Sequence, residues 1–188
     1  MNPPTSPGLS RRNLVKNAGL LGAGLVAFPY VMRGQANEDN SLIRVGVIGC
    51  GGRGSGAADQ TLSVPGSNVK VVALADSFGN RVEGLAKSLK AKHGDKVDLP
   101  PERCFVGLDA YLKVLPLCDM VILATPPGFR PFHFAAAVAA GKHVFMEKPV
   151  SVDAAGTRMV LEAAREADKK GLKVVVGLQR HYDDRYRE

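Results

Sequence analysis

A parallel, doubly wound α/β sheet is the fold class the sequence predicts, and three observations predict it. Short apolar runs rich in β-branched residues alternate along the chain with longer amphipathic or alanine-rich stretches. A glycine-rich bend, Gly49-Cys50-Gly51-Gly52-Arg53-Gly54, stands directly after the first of those runs. No internal repeat of fixed period is visible, and 188 residues suffice for one good-sized domain but not for two full ones.

The elements follow in order. Residues 1–9 are rich in Pro and Ser and are expected to be disordered. Ser10-Arg11-Arg12-Asn13-Leu14-Val15-Lys16 then precedes an uncharged stretch, residues 17–32, and Gly34-Gln35-Ala36. This arrangement looks like a bacterial twin-arginine export signal, residues 1–36, cleaved after Ala36. Signals of this kind favour Phe where Leu14 stands. The alternative is an ordinary amphipathic or anchoring helix, since the stretch is too short and too weakly apolar for a membrane span. The expected location is periplasmic or exported by the twin-arginine machinery; uncleaved, the segment would hold the protein at a membrane surface. Residues 37–41 read as a linker and the fold begins at Leu42.

The first strand covers residues 43–48, and a helix runs from about Arg53 toward Leu62. Pro65-Gly66-Ser67-Asn68 turns the chain into a second strand, 69–75, that ends in Asp76. A helix over 80–92 carries Val82, Leu85, Ala86 and Leu89 on one face, and Gly94-Asp95 closes it. A short strand at 103–106 and a helix at 108–115, stopped by Pro116, come next. Residues 120–124 form an apolar strand buried on both sides, ended by Thr125-Pro126-Pro127-Gly128. An alanine-rich helix spans 132–140, with Gly141 after its last turn. The strand 143–146 leads into Glu147-Lys148-Pro149, then into a helix capped by Ser151 or Asp153. That helix is expected to turn Ala155, Met159, Ala163 and Ala167 inward and to end at Gly171. A last strand, 173–177, completes the domain 42–178, and residues 179–188 are polar.

The net charge of +7 is mostly a property of the leader. Arg11, Arg12, Lys16 and Arg33 lie among its 36 residues with no acid between them, and removing these four leaves 21 basic against 18 acidic residues. No clustered basic face with interleaved aromatics is present, so nucleic acid is not an expected partner. The three cysteines, Cys50, Cys104 and Cys118, have no C-x-x-C spacing and read as small buried apolar residues; a Cys104–Cys118 bridge is the lesser alternative. The four histidines are scattered without metal-ligand spacing.

Gly49, Gly51 and Gly54 fall on the G-x-G-x-x-G spacing of a dinucleotide-binding bend. Gly49 would allow the tight turn off the strand, Gly51 the approach of a pyrophosphate, and Gly54 close packing of the helix. The free N–H groups and positive dipole end of that helix suit phosphates. Alone the motif is weak in a chain with 21 glycines. Asp76, 22 residues after Gly54, stands where a carboxylate accepts hydrogen bonds from ribose hydroxyls and repels the extra phosphate of NADP. The cofactor expected is therefore NAD, with NADP left open because Arg81 is within reach of a phosphate. The other reading of Asp76 is a helix cap over residues 77–80. Thr125-Pro126-Pro127 lies at the ligand-gathering edge of the sheet, or is a plain rigid turn. Glu147-Lys148-Pro149 ends a buried strand in an ion-forming pair and a proline that permits a cis peptide bond. A lysine held at a cleft can hydrogen-bond a substrate oxygen; at a strand end it is also commonly just solvated.

Taken together, Val-Ile-Gly-Cys-Gly-Gly-Arg-Gly at 47–54, Ala75-Asp76, Ala-Thr-Pro-Pro at 124–127, His133, Gly-Lys-His-Val at 141–144 and Glu147-Lys148-Pro149 resemble the Gfo/Idh/MocA oxidoreductases, over about residues 42–181. The resemblance implies a Rossmann domain in which Gly49, Gly51, Gly54 and Asp76 bind the dinucleotide, with Gly52, Arg53 and Arg81 counted beside them. It implies that Thr125 and Pro126 line the nicotinamide side. It also places Glu147 and Lys148 between nicotinamide and sugar, with Lys148 touching the hydroxyl or carbonyl that reacts. The substrate implied is a carbohydrate or polyol. His133 matches a position often occupied by His in the family and is read as packing or capping. Family members carry a second α/β domain with an Asp or His proton-transfer group. This chain stops where that domain is expected, so no such residue is assigned and catalysis is not expected of these residues alone. Residues 179–188 resemble the connection out of the Rossmann domain, and a homo-oligomer is left open. Two rival readings stand: a non-catalytic dinucleotide-binding module that needs a partner chain, and an S-adenosylmethionine enzyme, against which Glu147-Lys148-Pro149 argues.

Overall fold

The computed structural model describes residues 41–186. The expected twin-arginine signal, its expected cleavage after Ala36 and residues 37–40 of the expected linker lie outside the described residues. Six strands form one parallel sheet: β1 (Ile43–Ile48), β2 (Val69–Asp76), β3 (Cys104–Val106), β4 (Met120–Leu123), β5 (His143–Met146) and β6 (Val174–Val176). Five helices connect them: α1 (Gly52–Leu62), α2 (Gly79–His93), α3 (Ala110–Val114), α4 (Arg130–Ala139) and α5 (Ala154–Lys169). The strand order is β3-β2-β1-β4-β5-β6. The chain winds outward from β1 in one direction and then, from β4, in the other. The switch therefore falls between β1 and β4, and the crevice outside their carboxyl ends is where such sheets take ligands.

Side chains alternate across each strand, so the sheet has two apolar faces and both are covered. Val45 and Val47 of β1, Val71 and Leu74 of β2 and Ile122 of β4 pack against Ala57, Ala58 and Leu62 of α1 and Val82, Leu85 and Leu89 of α2. Ile48, Val72, Val121, Leu123 and Met146 face the other way, onto Val114 of α3, Phe134, Ala137 and Val138 of α4 and Val160, Ala163 and Ala167 of α5. Gly46 explains how α3 gets so close: a Cβ there would lie 2.3 Å from Val114 Cγ1 and 3.1 Å from Cys118 Sγ. Asp59 of α1 bonds both Lys92 (2.7 Å) and His93 (2.6 Å) and so ties α1 to the end of α2.

Several expectations change in detail. The inward stripe of α5 is Val160, Ala163 and Ala167; Ala155 is exposed and Met159 half-buried. The helix is capped by Asp153, which accepts from the Gly156 N–H at 2.6 Å. Pro116 does not stop a helix outright. α3 ends at Val114, and Pro116 sits inside the 3-10 turn Leu115–Leu117, where a proline early in the turn sacrifices no hydrogen bond. The alanine-rich helix starts two residues early, at Arg130, with Pro131 in its first turn. All three cysteines are free, so the Cys104–Cys118 bridge does not form, and Cys104 is only half-buried.

Candidate functional site

The glycine bend and the carboxyl ends of β1, β2, β4 and β5 surround one cleft of about 570 Å³. Its backbone side is dictated by glycine. Gly49 has φ +97°, and a Cβ on it would lie 2.7 Å from the Ala124 carbonyl carbon and the Thr125 nitrogen. A Cβ on Gly54 would lie 1.8 Å from the Gly49 carbonyl oxygen, so the bend and the first turn of α1 are in backbone contact. Gly51 and Gly52 differ: a Cβ on either meets nothing within 4 Å. Their bareness relieves no crowding in the protein and leaves the start of α1 open toward the cleft. No side chain caps α1 at Gly51, and its first turn carries no acidic residue. The N-terminal N–H groups and the positive dipole end are thus presented to an anion.

Asp76, at the end of β2, is buried at the cleft wall. Its Oδ2 accepts the Cys50 N–H at 2.7 Å and its Oδ1 the Phe78 N–H at 3.0 Å. Asp76 therefore makes a local turn onto Phe78 rather than the helix cap weighed for it, since α2 is N-capped at Phe78 with no side-chain hydrogen bond. It also braces the glycine bend in a way that spacing alone does not reveal. Each oxygen retains acceptor capacity for a hydroxyl group. Arg81 stacks 4.7 Å over the Phe78 ring and stands 4.0 Å from Asp76 Oδ1. The Cys50 thiol is pushed up to about 12, first by burial and then by the Asp76 charge, so it stays protonated.

Thr125, Pro126, Glu147 and Lys148 line the opposite wall. Glu147 does not pair with its neighbour Lys148, as the sequence suggests. It is 4% exposed, and its Oε1 takes Arg53 from the first turn of α1 at 2.5 Å, an ion pair that spans the cleft. β5 ends at Met146, and beyond it Glu147 is buried while Lys148 is exposed, so the two neighbours do not pair. Lys148 is exposed at the rim and precedes Pro149 through a cis peptide bond.

Two further residues line the same cleft and are functional candidates. His133, read as packing or capping, is 6% exposed; its Nδ1 lies 3.1 Å from Thr125 Oγ1 and its ring 4.2 Å from that of Tyr111. Burial, then the Arg130 charge, pushes His133 down to about 4, so the imidazole is neutral at ordinary pH. Arg130 is missed by sequence reasoning altogether. It is 2% exposed and donates to the carbonyl oxygens of Thr125 and Pro149. One signal was available: a cation at a helix start, where the dipole disfavours it, in an otherwise apolar segment.

The geometry fits a dinucleotide laid with its diphosphate on the bare start of α1 and its two ends toward Asp76 and Lys148. The comparisons agree in kind. A family model of oxidoreductases with an NAD-binding Rossmann fold, GFO_IDH_MocA, matches residues 43–177. The chain is 33% identical over 151 residues to a glycosyl hydrolase family 109 protein of Solibacter usitatus, covering 76% of this chain and 33% of that one. It is 32% identical over 148 residues to an inositol 2-dehydrogenase of Acidiphilium cryptum, covering 77% and 39%. Among solved structures, the scyllo-inositol dehydrogenase of Lactobacillus casei with bound NAD(H) and scyllo-inositol shares the fold, with a TM-score of 0.59, 23% identity and coverage of 78% and 39%. A 3-ketoreductase of Actinomadura kijaniata in complex with NADP and TDP-benzene gives 0.58, 26% identity, 78% and 40%. The chain spans about a third to two fifths of the length of these relatives.

Proposed function

The chain belongs to the Gfo/Idh/MocA oxidoreductase family, with its NAD-binding Rossmann fold, and on that premise we propose that residues 42–178 bind the nicotinamide dinucleotide of an enzyme acting on a carbohydrate or polyol. One observation carries the reading: a helix start whose first residues, Gly51 and Gly52, carry no side chain opens into the same cleft that Lys148 lines. Gly51 and Gly52 leave room for the diphosphate, and the N–H groups of the first turn of α1 would hold it. Asp76 receives the ribose hydroxyls of the adenosine end and disfavours a 2′-phosphate. Thr125 and Pro126 flank the nicotinamide. Nicotinamide, when bound, accepts or gives the hydride. The chain's own part is to orient the ring, exclude water from one side of it, and offer the Lys148 ammonium as a hydrogen-bond donor to the reacting oxygen. The relatives bear the names of an inositol dehydrogenase and a glycosidase family, which supports the carbohydrate class without choosing within it.

Calorimetric titration of the purified chain tests the binding step. NAD should bind more tightly than NADP, and S-adenosylmethionine should give no heat. Folded protein that responds to neither nicotinamide dinucleotide at millimolar concentration would overturn the proposal. Turnover of a panel of sugars and polyols, followed by nicotinamide absorbance, tests the second step; cofactor binding without any turnover favours the module that depends on a partner chain.

The leader is part of the same proposal. Residues 1–36 direct export through the twin-arginine machinery, a route that suits a protein folded around its cofactor before transport. Residues 1–41 fused to a reporter should carry it out of the cytoplasm, and the pair R11K with R12K should abolish that; export unaffected by both changes would sink the assignment.

A further inference from the structure

We propose that Arg130 is a positioning residue that sets the width of the nicotinamide end of the cleft, by holding two separate loops with one buried guanidinium. The inference rests on the dinucleotide reading above and extends it to a residue at the base of the cleft that acts through the two loops it holds. Arg130 opens α4 and is 2% exposed. One terminal nitrogen donates to the Thr125 carbonyl, in the loop after β4, and the other to the Pro149 carbonyl, in the loop after β5. Those are the loops that bring Thr125 and Pro126, and Glu147 and Lys148, to the cleft.

Three features separate this from an ordinary buried arginine. First, the guanidinium has no carboxylate in an ion pair among the described residues, although buried cations are normally paired. Its partners are two peptide oxygens and, at longer range, the charge of Glu147. Second, Nε is buried with no partner, so the side chain is not placed to satisfy its own donors. Third, Thr125 is gripped twice, at its carbonyl by Arg130 and at its hydroxyl by the neutral imidazole of His133. A group that is expensive to bury, sits at the unfavourable end of a helix dipole and leaves a donor unmet is poorly explained by stability. It is well explained by geometry. A guanidinium fork presents two rigid parallel donors and fixes the separation of the two carbonyls, which an ammonium on a flexible stem does not.

The test is to compare NAD with ADP-ribose, which lacks only the nicotinamide, on the wild-type chain and on Arg130→Met and Arg130→Lys. Arg130→Met should weaken NAD by about tenfold or more and ADP-ribose by less than about twofold. Arg130→Lys should fall between, and methylguanidine added to Arg130→Ala should restore part of the NAD affinity. Equal weakening of both ligands, or of neither, overturns the proposal, because it makes Arg130 a fold residue or an idle one. Amide hydrogen exchange on the same variants gives a reading that needs no ligand. Residues 125–129 and 147–150 should exchange faster together while residues 49–54 stay unchanged; acceleration of one loop alone, or of all three, also overturns it. A wild-type chain that binds neither NAD nor ADP-ribose would refute the dinucleotide reading and leave the exchange result to decide the clamp.

Discussion

The two halves of the sheet build their sides of the cleft from different materials. At the ends of β1 and β2 the working surface is mostly backbone: a bend and helix start with glycine at 49, 51, 52 and 54, and the one nearby thiol held protonated. At the ends of β4 and β5 it is side chains, several of them polar and buried: Glu147, Arg130 and His133. The difference teaches that a diphosphate site can be made by removing atoms, whereas a site for a planar ring and a reacting oxygen needs charges held in place. The first should be intolerant of added volume and indifferent to pH. The second should tolerate volume better and respond to charge.

Added volume gives the largest expected effect. Gly54→Ala puts a methyl 1.8 Å from the Gly49 carbonyl oxygen, and only backbone movement relieves it. The fold should lose about 3 kcal/mol, and NAD affinity should drop by about a hundredfold or more. Gly51→Ala is the contrasting variant. Its Cβ meets no protein atom within 4 Å and its φ of −73° suits any residue. Stability should change by less than about 1 kcal/mol, yet NAD affinity should fall by about tenfold because the methyl stands where the diphosphate lies. Denaturant unfolding and calorimetry on both variants check this; a Gly51→Ala chain that binds NAD like wild type would remove the backbone half of the argument.

Between these extremes lies the Arg53–Glu147 pair, which joins the two halves. Glu147 is nearly buried while Arg53 is mostly exposed, so solvent screens the pair in part. A double-mutant cycle with Arg53→Ala and Glu147→Gln should give a coupling of about 1–2 kcal/mol. The exposed Arg44–Asp119 pair, bidentate through Nε at 3.0 Å and a terminal nitrogen at 2.7 Å, should give a smaller coupling in the same assay because water screens both partners. Equal couplings would mean that the cleft pair is simply another surface contact.

The same contrast governs what could be read from sequence. The backbone half was legible because its constraints are local. A strand run, three glycines at fixed spacing and an acid after the next strand are each visible along the chain, and β1, β2 and β5 fall where the pattern puts them. The side-chain half was legible only as positions. Thr125, Pro126, Glu147 and Lys148 do line the cleft, but their partners come from distant turns. Arg53 reaches Glu147 across 94 positions, and Arg130 reaches Pro149 across 19. Nothing in a linear pattern distinguishes a buried arginine from a solvated one. The buried stripe of α5 was misplaced for a related reason: Ala155 and Val160 are both apolar, and packing against distant parts of the core decides which of them is covered.

A pH measurement isolates the charge sensitivity of the second half. The His133 imidazole titrates near 4 in the fold, against an ordinary value of 6.5. Between those pH values the unfolded chain carries a proton on this ring and the folded chain does not. The unfolded state therefore binds more protons, and stability must fall as pH drops from 6.5 toward 4, by something on the order of 2 kcal/mol. Asp59, Asp119 and Glu166 are shifted below their ordinary values of 3.8 to 4.5, so their contributions fade at or below the bottom of that window. His133→Gln keeps a polar partner for Thr125 but does not titrate. Its stability difference between pH 7 and pH 4.5 should be visibly smaller than that of wild type, measured by urea unfolding at each pH. An unchanged difference would place His133 in contact with water and detach it from the buried wall that sets this half of the cleft apart.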